Sequence, residues 1–190
     1  MTRLFIALNI PEEVKHKIID IRRNIINQIP GNQYEKLRWE PKEKFHLTLK
    51  FIGDVGDTLA DEIPNHLDFI GEYKKVNCVL TKFGFFYNKR VLKILWVGFD
   101  VDESLNKLVD ELNKRLLSVS GGSIPVDHRE FRAHLTLLRI KTKLGRDFIT
   151  GFEQCIIPET KFIAEDISLF RSELQPDMSR YIEIKKYNLK

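Results

Sequence analysis

His46-Leu47-Thr48-Leu49 and His134-Leu135-Thr136-Leu137 are the same tetrapeptide, placed 88 residues apart in a chain of 190. In an extended strand side chains alternate faces, so His46 and Thr48 point one way while Leu47 and Leu49 point the other. The second copy sorts His134 and Thr136 from Leu135 and Leu137 in the same way. Each copy thus offers one imidazole and one hydroxyl on one face and buries leucines on the other. A free imidazole titrates near ~6.5, so one histidine can serve as base and its twin as acid close to neutrality. A single His-x-Thr in a strand is ordinarily a surface pair or a satisfied buried histidine, and it is the repetition that carries the signal.

The elements around the motifs follow from periodicity. Leu4, Ile6, Leu8 and Ile10 alternate with Phe5, Ala7 and Asn9, a strand buried on both faces. Pro11-Glu12-Glu13 starts a helix whose stripe is Val14, Ile18, Ile21, Ile25 and Ile29, and Pro30-Gly31-Asn32 ends it. Leu37–Glu40 reads as a short strand stopped by Pro41. The first motif strand runs from Phe45 to Ile52, then a helix from about Asp57 to Ile70 weakened by Pro64, then a strand from Val76 to Phe86. Val91 to Phe99 opens the second half, with Asp102 as N-cap of a helix carrying Leu105, Leu108, Leu112 and Leu116. The second motif strand spans His134 to about Lys141, a short helix lies near 146–152, and Thr160–Phe170 and Arg180–Lys186 close the chain as strands. Strand, helix, motif strand, helix, strand occurs twice. The expected fold is α+β: two pseudo-symmetric lobes of mainly antiparallel sheet with outer helices, one domain over 1–190 duplicated at roughly 1–90 and 91–190, with the active-site cleft between the lobes.

Composition narrows the class. Hydrophobic content of 43% with 31% charged residues suits a globular protein. No apolar run approaches the ~20 residues of a membrane span. Met1-Thr2-Arg3-Leu4-Phe5-Ile6 leads into a strand, not a secretory leader, so the cytoplasm is the expected location. Cys78 and Cys155 have neither disulfide-framework nor metal-type spacing. The net charge of +4 permits a polyanionic partner without establishing one. His16 and His66 lie off the motif strands and are expected to be exposed, and His128, between Asp127 and Arg129, is expected in a loop. Ser120-Gly121-Gly122-Ser123 lacks the ending of a phosphate loop and reads as a connector.

The paired motifs, the opening Arg-Leu-Phe-Ile-Ala-Leu, Trp39 leading to His-Leu-Thr-Leu-Lys-Phe-Ile-Gly, Leu95-Trp96-Val97-Gly98 and Phe170-Arg171-Ser172-Glu173-Leu174 resemble the two-histidine (2H) phosphoesterases. Within that superfamily the chain looks like the RNA 2′,3′-cyclic phosphodiesterases, historically called 2′-5′ RNA ligases. Ala133 departs from the proline usual before the second histidine. The resemblance implies a metal-independent hydrolase without cofactor, acting on RNA ends or nucleotides that carry a 2′,3′-cyclic phosphate, as a monomer. His46 and His134 are then the catalytic pair, with His134 as base and His46 as acid. Thr48 and Thr136 would donate hydrogen bonds to the non-bridging oxygens. Arg139 would contact phosphate, although strict alternation puts it on the face opposite His134 unless a bulge intervenes. Phe51, at the matching place in the first copy, would stack on a base or pack in the core. ATP-independent 2′-5′ joining of RNA ends and a non-catalytic RNA-binding module are the alternatives.

Overall fold

Leu4 to Leu8 are buried without interruption, which commits their strand to the middle of a sheet. In the computed structural model, which describes residues 1–30, 34, 36–127, 129–175 and 179–190, that strand is β1 (Thr2–Asn9). It pairs antiparallel with β2 (His46–Val55) on one side and β7 (Asp166–Glu173) on the other, and β8 (Arg180–Asn188) completes the order β2-β1-β7-β8. The second sheet repeats the pattern as β5-β4-β3-β6, with β5 (His134–Arg139), β4 (Val91–Val101), β3 (Val76–Asn88) and β6 (Lys161–Ala164). Each motif strand is therefore an edge strand beside the first strand of its own half.

The helices are α1 (Glu12–Gln28), α2 (Asp57–His66), α3 (Glu103–Val119) and α4 (Arg146–Glu153). Pro11 stands at the N-cap position of α1, and Glu12 and Glu13 sit in its first turn, where the helix dipole favours anions. Val14, Ile18, Ile25 and Ile26 form its buried stripe. α1 packs against α4 and α2 against α3, so each helix pair draws one member from each half. One apolar core runs under both sheets.

The strand–helix–motif strand–helix–strand plan occurs twice, as β1-α1-β2-α2-β3 and β4-α3-β5-α4-β6, the second followed by β7 and β8. Strands are exchanged between the halves: β3 of the first lies beside β4, and β7 of the second lies beside β1. The two sheets are consequently not divided at residue 90, and each half is locked to the other by an exchanged strand. Thr160–Phe170, expected as one strand, is β6 and β7 broken at Glu165, because its two ends pair in different sheets. Alternation of apolar residues cannot reveal such a change of partner. α2 ends at His66, one turn short of expectation, and a 3₁₀ turn follows at Asp68–Glu72. Asp102 is the N-cap residue of α3, but its carboxylate accepts from Asn77 N–H and Nδ2 instead of capping the helix. Leu37–Glu40 contributes a single bridge, Trp39 to Leu138. Gly31 and Asn32 of the expected helix stop lie outside the described residues. No helix among the described residues is long and apolar enough to cross a membrane.

Candidate active site

Register decides which side chains reach the cleft. Along β1 and β2, Leu4 faces Gly53 and Phe5 faces Phe51, then Ile6 faces Lys50 and Ala7 faces Thr48. Ile52 and Leu49 are therefore extra residues in β2. Along β4 and β5, Leu95 faces Leu138 and Trp96 faces Thr136, which leaves Leu137 as the extra residue. Both motif strands bulge at the last leucine of the tetrapeptide, and a bulge resets alternation. Leu137 and Leu138 are buried in succession and Arg139 emerges on the His134 face. In β2, Leu49 and Lys50 are buried in succession and Phe51 emerges, 67% exposed. This supplies the bulge that Arg139 required and excludes core packing for Phe51. The second bulge is held from outside the sheet: Glu40 N–H donates to Leu137 O at 2.8 Å, next to the Trp39–Leu138 bridge.

All six residues singled out from the sequence, His46, Thr48, Phe51, His134, Thr136 and Arg139, line one cleft of about 1640 Å³ between the sheets. That is larger than the ~300–1,000 Å³ of a small-molecule pocket and suits the end of a polymer. His46 is walled by aromatic rings, with centroids of Phe5 at 5.1 Å, Tyr181 at 5.5 Å and Phe170 at 6.1 Å. Burial among them pushes its pKa from 6.5 down to about 4, against the opposing pull of a hydrogen bond to the Lys44 carbonyl. His134 sits beside Phe86 at 5.0 Å and Trp96 at 6.3 Å, and its Nδ1 lies 2.7 Å from Arg132 O. Each imidazole is thus bonded to the carbonyl two residues before it. For His134 this makes Nδ1 the protonated nitrogen and leaves Nε2 free.

Arg139 Nε donates to Glu40 Oε1 at 3.2 Å, and the side chain remains 57% exposed. Lys44 Nζ lies 5.1 Å over the Tyr181 ring. Burial, and after it the Glu40 carboxylate, raises the Tyr181 phenol and keeps it a hydrogen-bond donor. Glu40, Lys44, Phe5, Phe86 and Tyr181, which line the cleft, and Phe170, which walls His46, are among the residues that sequence reasoning did not assign. Their signal was only partial, since Phe5 and Phe170 stood in the resembling segments without a role. Trp96 lies in a cradle made by glycines on two strands: a Cβ at Gly84 or Gly98 would overlap its indole. His16 and His66 are exposed, and His128 lies outside the described residues. Cys78 is buried and Cys155 half-buried. Among the described residues no three His, Cys, Asp or Glu side chains lie close enough to hold a metal ion.

The model of the LigT-like phosphoesterase family matches residues 8–96. An RNA 2′,3′-cyclic phosphodiesterase of Methanocaldococcus jannaschii is 28% identical over 189 residues, 97% of this chain and 99% of that protein. One from Thermotoga maritima is 31% identical over 140 residues, covering 73% of this chain and 70% of that protein. A crystal structure of a Thermus thermophilus protein superimposes with a TM-score of 0.77 at 22% identity, over 98% of this chain and 97% of that one. Escherichia coli LigT in its apo form gives 0.71 at 22% identity, over 100% and 98%. These two show the same fold. With the paired motifs lining one cleft and the Thermotoga maritima relative 31% identical over 73% of this chain, the chain belongs to the LigT-like family of 2H phosphoesterases.

Proposed function

We propose that this chain hydrolyses RNA 2′,3′-cyclic phosphate ends to 2′-phosphomonoesters by two-histidine acid–base catalysis. The observation that carries this reading is the arrival of two His-x-Thr faces, from equivalent edge strands of different sheets, in one cleft. A neutral imidazole takes a proton from water, whose oxygen bonds to phosphorus. The P–O3′ bond breaks on the opposite side, and the other imidazole, entering protonated, gives its proton to O3′. Thr48 and Thr136 hydroxyls and the Arg139 guanidinium meet the charge that grows on the non-bridging oxygens. Phe51 takes the base. The relatives named above as RNA 2′,3′-cyclic phosphodiesterases support this substrate class.

Protonation favours an enzyme over a passive binder. A site that only held phosphate would gain from two imidazolium ions, whereas burial keeps His46 neutral in the free chain. Taken alone, that state fits His46 for the base, the reverse of the order expected from the sequence. For His46 to be the acid, bound phosphate must raise its pKa again, at roughly 1.4 kcal/mol per unit. The free-enzyme profile of kcat/KM separates the two: an acidic limb near pH 4 that vanishes in His46→Ala assigns the base to His46. The activity itself is tested with cytidine 2′,3′-cyclic phosphate in EDTA, the product being resolved as 2′- or 3′-CMP. Formation of 2′-CMP is expected. Formation of 3′-CMP, or no product either here or from an oligonucleotide with the same end, would refute the reading.

A further inference from the structure

β3 and β4 are joined by a tight turn whose two central residues, Lys89 and Arg90, have φ of 47° and 64°. Such a turn needs positive φ at both positions and ordinarily takes Asn-Gly, because other side chains are strained there. Here two long cations occupy those positions. The cleft arginines behave differently, since Arg3, Arg129, Arg132 and Arg139 each face a carboxylate within 3.4 Å. Among the described residues neither Lys89 nor Arg90 has a carboxylate partner. Just before the turn stands Tyr87, which lines the same cleft as Phe51 and, at 54% exposure, leaves most of its ring to solvent. The turn therefore combines a strained backbone, an exposed aromatic face and free positive charge at one mouth of the cleft.

We propose that this hairpin tip is the subsite for the nucleotides upstream of the cyclic end: Tyr87 stacks on a base, and Lys89 and Arg90 contact backbone phosphates. An aromatic face with adjacent cations is what binds single-stranded RNA without regard to sequence. The substrate is then the end of an RNA strand in preference to a free cyclic nucleotide. The proposal rests on the cyclic-phosphate reading above.

The test compares cytidine 2′,3′-cyclic phosphate with a pentanucleotide ending in the same group, for the wild-type chain and for the double variant Lys89→Asn/Arg90→Gly. That variant gives the turn its favoured residues, so it should melt higher than wild type. Wild type should favour the pentanucleotide in kcat/KM by about tenfold or more, a preference that the double variant loses. The salt slope of log KM for the pentanucleotide should fall by about 1.4, the share of two phosphates on a single strand. Turnover of the mononucleotide should be unchanged. Tyr87→Ala should likewise lose the pentanucleotide preference. Equal kcat/KM for both substrates in wild type, or an equal loss on both in the double variant, would overturn the subsite and leave the cyclic-phosphate reading intact. Absence of turnover on either substrate by wild type would overturn both.

Discussion

His46 and His134 stand on the same tetrapeptide, at the same offset from the same kind of bulge, each bonded to the carbonyl two residues back. Their walls differ. Opposite His46 the neighbouring strand places Asn9, whose amide is held by Asp166 and by Ser168 at 2.7 Å, while Phe5, Phe170 and Tyr181 close around the ring. Opposite His134 it places Gly98, which leaves room for the indole of Trp96 to lie across the sheet. The repeated tetrapeptide supplies matched geometry, and the aromatic wall around the first copy holds the His46 imidazole well below its ordinary pKa. An acid–base pair needs both, because two imidazoles in identical surroundings would titrate together and neither form would be assured.

The largest expected effect comes from removing either member. His46→Ala and His134→Ala should each lower cyclic-phosphate hydrolysis by about 10²–10⁴-fold, the usual worth of a positioned proton transfer. Circular dichroism and melting should stay near wild type for His134→Ala. If either single variant kept near-wild-type single-turnover rates, the pair would not be the acid–base couple.

Acid stability probes the inequality directly. The unfolded chain protonates His46 near its free value of 6.5, whereas the folded chain does so only near 4. As pH falls through that window the unfolded state gains a proton that the folded state refuses, so stability is lost on acidification. His46 should contribute roughly 3 kcal/mol of that loss. His46→Phe, which fits an aromatic box, should flatten the decline between pH 7 and pH 4 in denaturant titrations. A variant that loses as much as wild type would show that burial of this imidazole is not what separates the two histidines.

How far the sequence reached can be read from the same strands. The face alternation of His-Leu-Thr-Leu, the first strand buried on both sides and the doubled strand–helix plan were legible because each is a local pattern. The exchange of β3 and β7 was not, since strand pairing between distant parts of the chain leaves no mark on local periodicity. Arg139 shows the boundary most clearly. Alternation alone put it on the wrong face, and only the opposing register, with Leu137 squeezed out and its carbonyl taken by Glu40, turns it into the cleft. Tyr181 was invisible for a related reason: its part in walling His46 depends on β8 lying two strands away from β1.

Arg139 and Phe51 occupy equivalent positions after the two bulges, so exchanging their chemistry sharpens the comparison. Arg139→Gln should cost kcat/KM about 10- to 100-fold, as for loss of a hydrogen bond to a charged group. Arg139→Lys should recover only part of it, because one ammonium cannot keep the planar fork that meets phosphate while Glu40 holds Nε. Full recovery by lysine would reduce the residue to a point charge.

Phe51 should show the smallest effect, and its form matters more than its size. The side chain is 67% exposed, so Phe51→Ala removes little packing and should leave the melting temperature within a degree or two of wild type. On the proposed reading it removes a face for the terminal base, about 1 kcal/mol at the low end of base–aromatic stacking, or roughly fivefold in KM. Stacking does not read hydrogen-bonding edges, so the loss should be similar for the cyclic phosphates of adenosine, guanosine, cytidine and uridine. Phe51→Trp should bind all of them at least as well as wild type. Because the base is remote from phosphorus, kcat should hardly move, in contrast to Arg139, whose variants should depress kcat as charge builds on phosphate. A Phe51→Ala variant with unchanged KM and reduced kcat would mean that the first bulge serves the reacting phosphate as the second does, and the functional difference between the two strands would collapse.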